Sequence, residues 1–195
     1  MNETIKYYNE NADKYAISTQ HVDMSDIHTR FLKHVKPSGS ILDFGCGAGR
    51  DSLAFLQRGY QVDALDGSLE LCKKAHKLTK LNIQHLDFFD FNKREQYDGV
   101  WACASLLHIQ TDKLPDVIGH IVISLKQSGA FYLSFKYGVF EGIRNDRFFN
   151  DFNNGKLTSL MQKFPELVEV DVWKTEDIRK DRQNEYWLNA IYVKK

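Results

Sequence analysis

Residues 40–56, SILDFGCGAGRDSLAFL, run from a short apolar segment into three glycines and out again as an amphipathic helix. Ile41 and Leu42 read as part of a buried parallel strand, and turn signals follow at once. Leu53, Ala54, Phe55 and Leu56 supply an apolar helical face, Arg50, Asp51, Gln57 and Arg58 can face water, and Gly59 stops the helix. Glycines at 45, 47 and 49 allow positive φ and let a ligand approach the main chain without a Cβ in the way. The helix N-terminus beside them offers unpaired N–H groups. A nucleotide-binding loop is expected at this corner.

Outward from it, apolar strands alternate with helices. Strands are expected at 41–44, 61–65, 83–87, 99–102, 130–135, 169–173 and 187–193, and helices near 50–58, 69–79, 112–125 and 155–163. An aromatic, polar segment (5–16) and a helix at 27–35 precede them. Helices between strands imply right-handed crossovers, hence an α/β, doubly wound, mostly parallel sheet covered on both faces. Between the last two strands lies only the polar KTEDIRKDRQNE, so those two should pair antiparallel as a C-terminal edge hairpin.

At 195 residues and 43% hydrophobic content the chain suits one domain. Residues 1–36 are expected to form a helical cap or lid, 37–136 a cofactor-binding core, and 137–195 a substrate-side loop, helix and hairpin. The 26 basic and 26 acidic residues cancel, so no global field draws nucleic acid or a membrane surface. No apolar run approaches the ~20 residues that cross a bilayer, and MNETIKYYNENADKY lacks a signal-peptide core. A cytoplasmic protein is expected. Cys46, Cys72 and Cys103 are odd in number and form no C-x-x-C pair, as free thiols would.

In a doubly wound sheet the ligand lies beyond the strands' carboxyl ends. The second strand ends in Asp66-Gly67-Ser68, where an acid can accept from both ribose hydroxyls. The third ends in HLDFFDF, where Asp87 can accept from an exocyclic amine and Phe88 or Phe89 can cover an adenine face.

With these residues the sequence resembles the class I, Rossmann-like S-adenosylmethionine-dependent methyltransferases. LDFGCGAG matches that family's glycine motif, VDALDGS its ribose-binding acid, HLDF its adenine-binding acid, and YDGVWACASLLHI the segment after its fourth strand. Among subgroups, the small bacterial tellurite-resistance-type enzymes are the most similar. The resemblance implies about seven strands with the last antiparallel, S-adenosyl-L-methionine as cofactor, and a methyl acceptor. It implies that Gly45, Cys46 and Gly47 border the methionine part, that Asp43 braces the loop, and that Asp66 and Gly67 meet the ribose. Asp87 and Phe88 would meet the adenine, and Ala102 would line the methionine side. His108 is the one imidazole in ACASLLHI, the side chain there that titrates near neutral pH, and the candidate general base.

For the acceptor, FKYGVFEGIRNDRFFNDF leaves the fifth strand at its carboxyl end. Lys136, Arg144 and Arg147, interleaved with aromatic residues, suit a small anionic acceptor or one with a flat apolar part. The bland alternative is a solvated loop whose arginines are neutralised by Glu141, Asp146 and Asp151. Other readings stay open beside a small-molecule methyltransferase: a noncatalytic sensor of S-adenosylmethionine or S-adenosylhomocysteine, and an RNA methyltransferase. The [DN]-P-P-[YF] motif of amino-group DNA methyltransferases is absent, so no DNA substrate is expected. Tyr132-x-x-x-Lys136 has the spacing of a short-chain dehydrogenase pair, yet falls in a strand, where residues four apart stand ~13 Å apart. His21, Asp23, Asp26 and His28 fit no recognised metal spacing, and no metal is expected.

Overall fold

The structure, a computed structural model, describes residues 3–179, 182 and 184–195. Helices α1 (Glu3–Glu10), α2 (Ala12–Thr19) and α3 (Ser25–Leu32) lead into β1 (Ser40–Phe44), α4 (Arg50–Gln57), β2 (Gln61–Asp66), α5 (Leu69–Thr79), β3 (Gln84–His85) and β4 (Tyr97–Ala102). Then follow α6 (Leu114–Ser124), β5 (Leu125–Lys136), β6 (Glu141–Arg144), β7 (Arg147–Asn150), α7 (Asn154–Met161), β8 (Leu167–Glu176) and β9 (Tyr186–Lys194). Seven strands form one sheet in the order β3-β2-β1-β4-β5-β9-β8. The first five are parallel, and β9 and β8 close the edge as the expected antiparallel pair.

The continuous apolar runs arise because both faces of the sheet are covered. Leu42, Phe44, Val100, Ala102, Phe131, Leu133 and Phe135 point into one core with α6 and α7. Their neighbours Ile41, Trp101, Ala130 and Tyr132 point into the other with Phe31, Val35 and Phe55. Trp101 and Tyr132 stack there with ring centroids 3.9 Å apart. Each such fully buried ring contributes about 1.5–3 kcal/mol relative to exposure. Beneath them, Asp51 accepts from Trp101 Nε1 at 2.9 Å and from a bidentate Arg50, and its Oδ1 lies 3.0 Å from His28 Nε2. Burial opposes ionisation of Asp51, but Arg50 and His28 outweigh it and hold the carboxyl far below its ordinary range.

Two elements differ from the sequence expectation. The third strand shrinks from 83–87 to Gln84–His85, because Asp87 turns to cap a short 3₁₀ turn, its Oδ1 accepting from Phe89 N at 3.0 Å. The segment expected as a loop after β5 contains a second sheet, the β6–β7 hairpin, turned at Asn145-Asp146 with both residues at positive φ (51° and 60°).

Candidate active site

At the carboxyl end of β1 the chain folds back on β2, where Gly45 N and Cys46 N both donate to the Leu65 carbonyl at 2.9 and 3.0 Å. Gly45 and Gly47 lie at φ +84° and +55°. A Cβ on Gly45 would stand 2.4 Å from Ser105 Cβ, and one on Gly47 3.0 Å from the Tyr15 ring. The loop is held between β4's exit and α2 at a spacing only glycine permits. Asp66 Oδ2 accepts from Gly47 N and Oδ1 from Ser68 N, each at 2.8 Å. Burial nonetheless raises the Asp66 pKa above the ordinary carboxylate range.

These residues line a cleft of about 330 Å³. Ile5, Gly45, Gly47, Asp66, Gly67, Asp87, Phe88, Phe89, Ser105 and His108 are among its walls, with the Phe88 ring close against Gly45. Ser105 is 6% exposed, and its Oγ finds no hydrogen-bond partner among the described residues. An orphaned buried hydroxyl facing a cleft is satisfied by a polar ligand. The cleft thus offers aromatic rings that can cover a base, a carboxylate that can accept from a ribose and an unpartnered hydroxyl for a polar group.

Three residues expected at the cofactor do not line the cleft. Ala102 is fully buried in the core, because it continues the inward alternation of Val100. The lining begins two residues later, at Ala104 (φ 51°) and Ser105. Cys46 turns inward to pack with Ala64 and Ala75. Asp43 lies under the loop, accepts from Ser52 Oγ at 2.6 Å, and is pushed up to about 8 by burial and by Asp51.

A second cleft of about 280 Å³ adjoins the first and shares Tyr8, Tyr15, Ala104 and His108 with it. Tyr132, Ser134, Trp187, Asn189, Arg147 and Lys136 are among its walls. The three basic candidates divide. Lys136 Nζ donates to Asp177 at 2.9 Å and to Glu185 and lies over the Trp187 ring, so its charge is already matched. Arg144 lines neither cleft, because Asp151 holds its guanidinium through two bonds of 3.1 and 2.9 Å. Arg147 lines the second cleft, packs over the Tyr7 and Phe149 rings at 4.4 and 5.1 Å, and has no carboxylate partner among the described residues.

His108 is held from both sides. Its Nδ1 lies 2.6 Å from the Phe148 carbonyl and its Nε2 2.8 Å from Tyr8 Oη. Burial, reinforced by Arg147, lowers its pKa to about 4 despite the Phe148 bond, so the ring is neutral at pH 7. Both ring nitrogens are thus engaged, so a proton from an acceptor would reach His108 through the Tyr8 hydroxyl. Tyr8 and Tyr15 of the N-terminal helices line the cleft, within the segment expected as a cap or lid, whereas Ser105 is a lining residue that the sequence reading did not single out.

A family model described as a methyltransferase domain matches residues 41–129, which span the glycine loop, Asp66, Asp87 and His108. An uncharacterized methyltransferase of Staphylococcus carnosus is 23% identical over 157 residues, 80% of this chain and 73% of that protein. Haemophilus influenzae TehB, named as a probable S-adenosyl-L-methionine-dependent methyltransferase, is 27% identical over 124 residues, 59% of this chain but only 42% of TehB. In fold the chain is similar to 1,6-didemethyltoxoflavin-N1-methyltransferase of Burkholderia thailandensis, solved with 1,6-didemethyltoxoflavin and S-adenosylhomocysteine. The TM-score is 0.77 at 20% identity, covering 97% of this chain and 84% of that one. The matched residues 41–129 carry the glycine loop and the strand ends that border the cleft, and the sheet around them has the fold of such a methyltransferase.

Proposed function

We propose that the protein methylates a small, anionic or flat acceptor seated in the second cleft. The observation that carries this reading is the junction of the two clefts at Tyr8, Ala104 and His108, with the uncompensated Arg147 guanidinium on the acceptor side. The cofactor supplies a sulfonium methyl, an electrophile that needs alignment and dryness more than acid–base help. Gly45, Gly47 and the Ser105 hydroxyl hold its amino-acid end, Asp66 its ribose, and Asp87 with Phe88 its adenine. Tyr8 and Tyr15 of α1 and α2 cover the junction and exclude water, so these two helices serve as the cap. Asp177 and Glu185 neutralise Lys136, which leaves Arg147 to attract a carboxylate or oxyanion. A cleft of only about 280 Å³ with Tyr132, Phe149 and Trp187 in its walls favours a small molecule over an RNA chain.

The test is release of S-adenosylhomocysteine across a panel of small carboxylates, phenols, amines, thiols and oxyanions. Turnover should concentrate in anionic acceptors and fall with Arg147→Ala. Preference for neutral or cationic acceptors would overturn the assignment.

A further inference from the structure

The junction between the clefts has a hydrogen-bond direction fixed from one end. A backbone carbonyl can only accept, so the 2.6 Å contact to Phe148 O places a hydrogen on His108 Nδ1. In a neutral imidazole Nε2 then carries the lone pair, and the 2.8 Å contact to Tyr8 Oη requires the tyrosine to donate. Burial raises the Tyr8 pKa against the lowering influence of Arg147, so the hydroxyl keeps that hydrogen at neutral pH. Once its hydrogen is spent on His108, Tyr8 Oη is a pure acceptor. Arg147 Nη1, 3.4 Å away, supplies one donor, and the remaining lone pair is open where the clefts meet.

Resting on the reading of the second cleft as the acceptor site, we propose that Tyr8 orients a protic nucleophile, its hydroxyl oxygen accepting the N–H or O–H hydrogen of the group to be methylated. A hydrogen held by Tyr8 turns the nucleophile's remaining lone pair away from the tyrosine and toward the cofactor side of the junction. As that lone pair bonds the methyl, the sulfonium C–S bond would break to leave S-adenosylhomocysteine, and the acceptor's hydrogen would pass to Tyr8 Oη while the tyrosine's own moves to His108 Nε2. His108 is then a positioning residue: it never touches the acceptor but fixes which way Tyr8 faces. The same polarity discriminates. A nucleophile with no hydrogen to give, such as a thiolate, a tertiary amine or an oxyanion oxygen, meets a lone pair at Tyr8 and is rejected. The site therefore takes hydroxyl or amino acceptors whose anionic group lies beside Arg147.

Two measurements on the intact protein with S-adenosylhomocysteine bound test this. Nitrogen-15 NMR of histidine-labelled protein at pH 7 should show His108 neutral with its hydrogen on Nδ1. An Nε2–H tautomer or an imidazolium reverses the polarity and overturns the proposal without any variant. Calorimetry with two benzoate probes should show 4-hydroxybenzoate binding at least tenfold more tightly than 4-fluorobenzoate, which lacks the hydrogen. Tyr8→Phe should erase the preference for 4-hydroxybenzoate over 4-fluorobenzoate. Equal affinities in the wild type, or no binding of either probe while S-adenosylhomocysteine binds, would sink the role of Tyr8. Failure of S-adenosylhomocysteine itself to bind would instead remove the cofactor reading beneath it.

Discussion

Asp66→Ala separates the bracing of the glycine loop from the ribose contact proposed for the same carboxylate. Both oxygens are engaged by backbone N–H groups, Gly47 on one and Ser68 on the other, at 2.8 Å, in a residue 9% exposed. Hydrogen bonds to a charged partner contribute about 1.5–3 kcal/mol each. Removing the carboxylate also removes its own desolvation cost, which is what raises its pKa, and cleft water can reach the freed N–H groups. The net loss of stability without cofactor should then be about 2 kcal/mol, or roughly 4–8 °C in Tm for a domain of this size. Ribose binding adds a second, independent loss of about 1–3 kcal/mol, a roughly 5- to 150-fold weaker Kd for S-adenosylhomocysteine. Thermal melts of the free protein read the first and calorimetry the second. A variant that melts with the wild type refutes bracing of the glycine loop by Asp66. One that binds S-adenosylhomocysteine with unchanged Kd refutes the ribose contact, whatever its melting temperature.

Asp43 gives a pH signature. Its folded pKa of about 8 lies above the ordinary 3.8, so the native state holds an extra proton between those values and the group's contribution falls as pH rises through that window, at up to about 1.4 kcal/mol per unit. Asp43→Asn, which cannot ionise, should flatten the urea-stability profile from pH 4 to 8; an unchanged slope would show that Asp43 ionises normally. Gly47→Val must adopt φ +55° and bring a Cβ within 3.0 Å of Tyr15, so it should cost about 2 kcal/mol or more and abolish S-adenosylhomocysteine binding; retained affinity would limit the glycine to the turn. Arg147→Ala should raise the KM of an anionic acceptor tenfold or more, about 1.4 kcal/mol, while Arg144→Ala, whose side chain is committed to Asp151, leaves it unchanged. Equal effects of the two would place the hairpin's charge, rather than Arg147, in the acceptor site.

How much the sequence discloses depends on how local the cause is. The glycine loop, Asp66 and Asp87 are legible because each sits at a strand end, where the period-2 pattern breaks into turn residues and topology sends the ligand. Ala102 shows the limit of that rule. The strand's alternation runs on through it into the core, and the cleft begins only after Ala104 takes positive φ, which no propensity assigns to alanine. The β6–β7 hairpin had a usable signal, Asn145-Asp146 between apolar residues, but its mixed charges resemble a solvated loop equally well.

Arg144 and Arg147 show why the acceptor site resisted reading. They are register partners across the hairpin turn, so two like charges face each other and must part. Which one turns to the cleft is decided elsewhere: Asp151 captures Arg144, and Tyr7 of α1 offers its ring face to Arg147. The same helix supplies Tyr8 to His108, about a hundred positions away in the chain. A charged residue's role here follows from which partner its fold neighbours leave unmatched, a property of the assembled molecule. In the sequence Lys136, Arg144 and Arg147 are three equivalent cations. In the structure two are neutralised by carboxylates, and the third is left beside the Tyr8 hydroxyl, which is the ground for the proposal that the second cleft takes an anionic molecule with a hydrogen to donate.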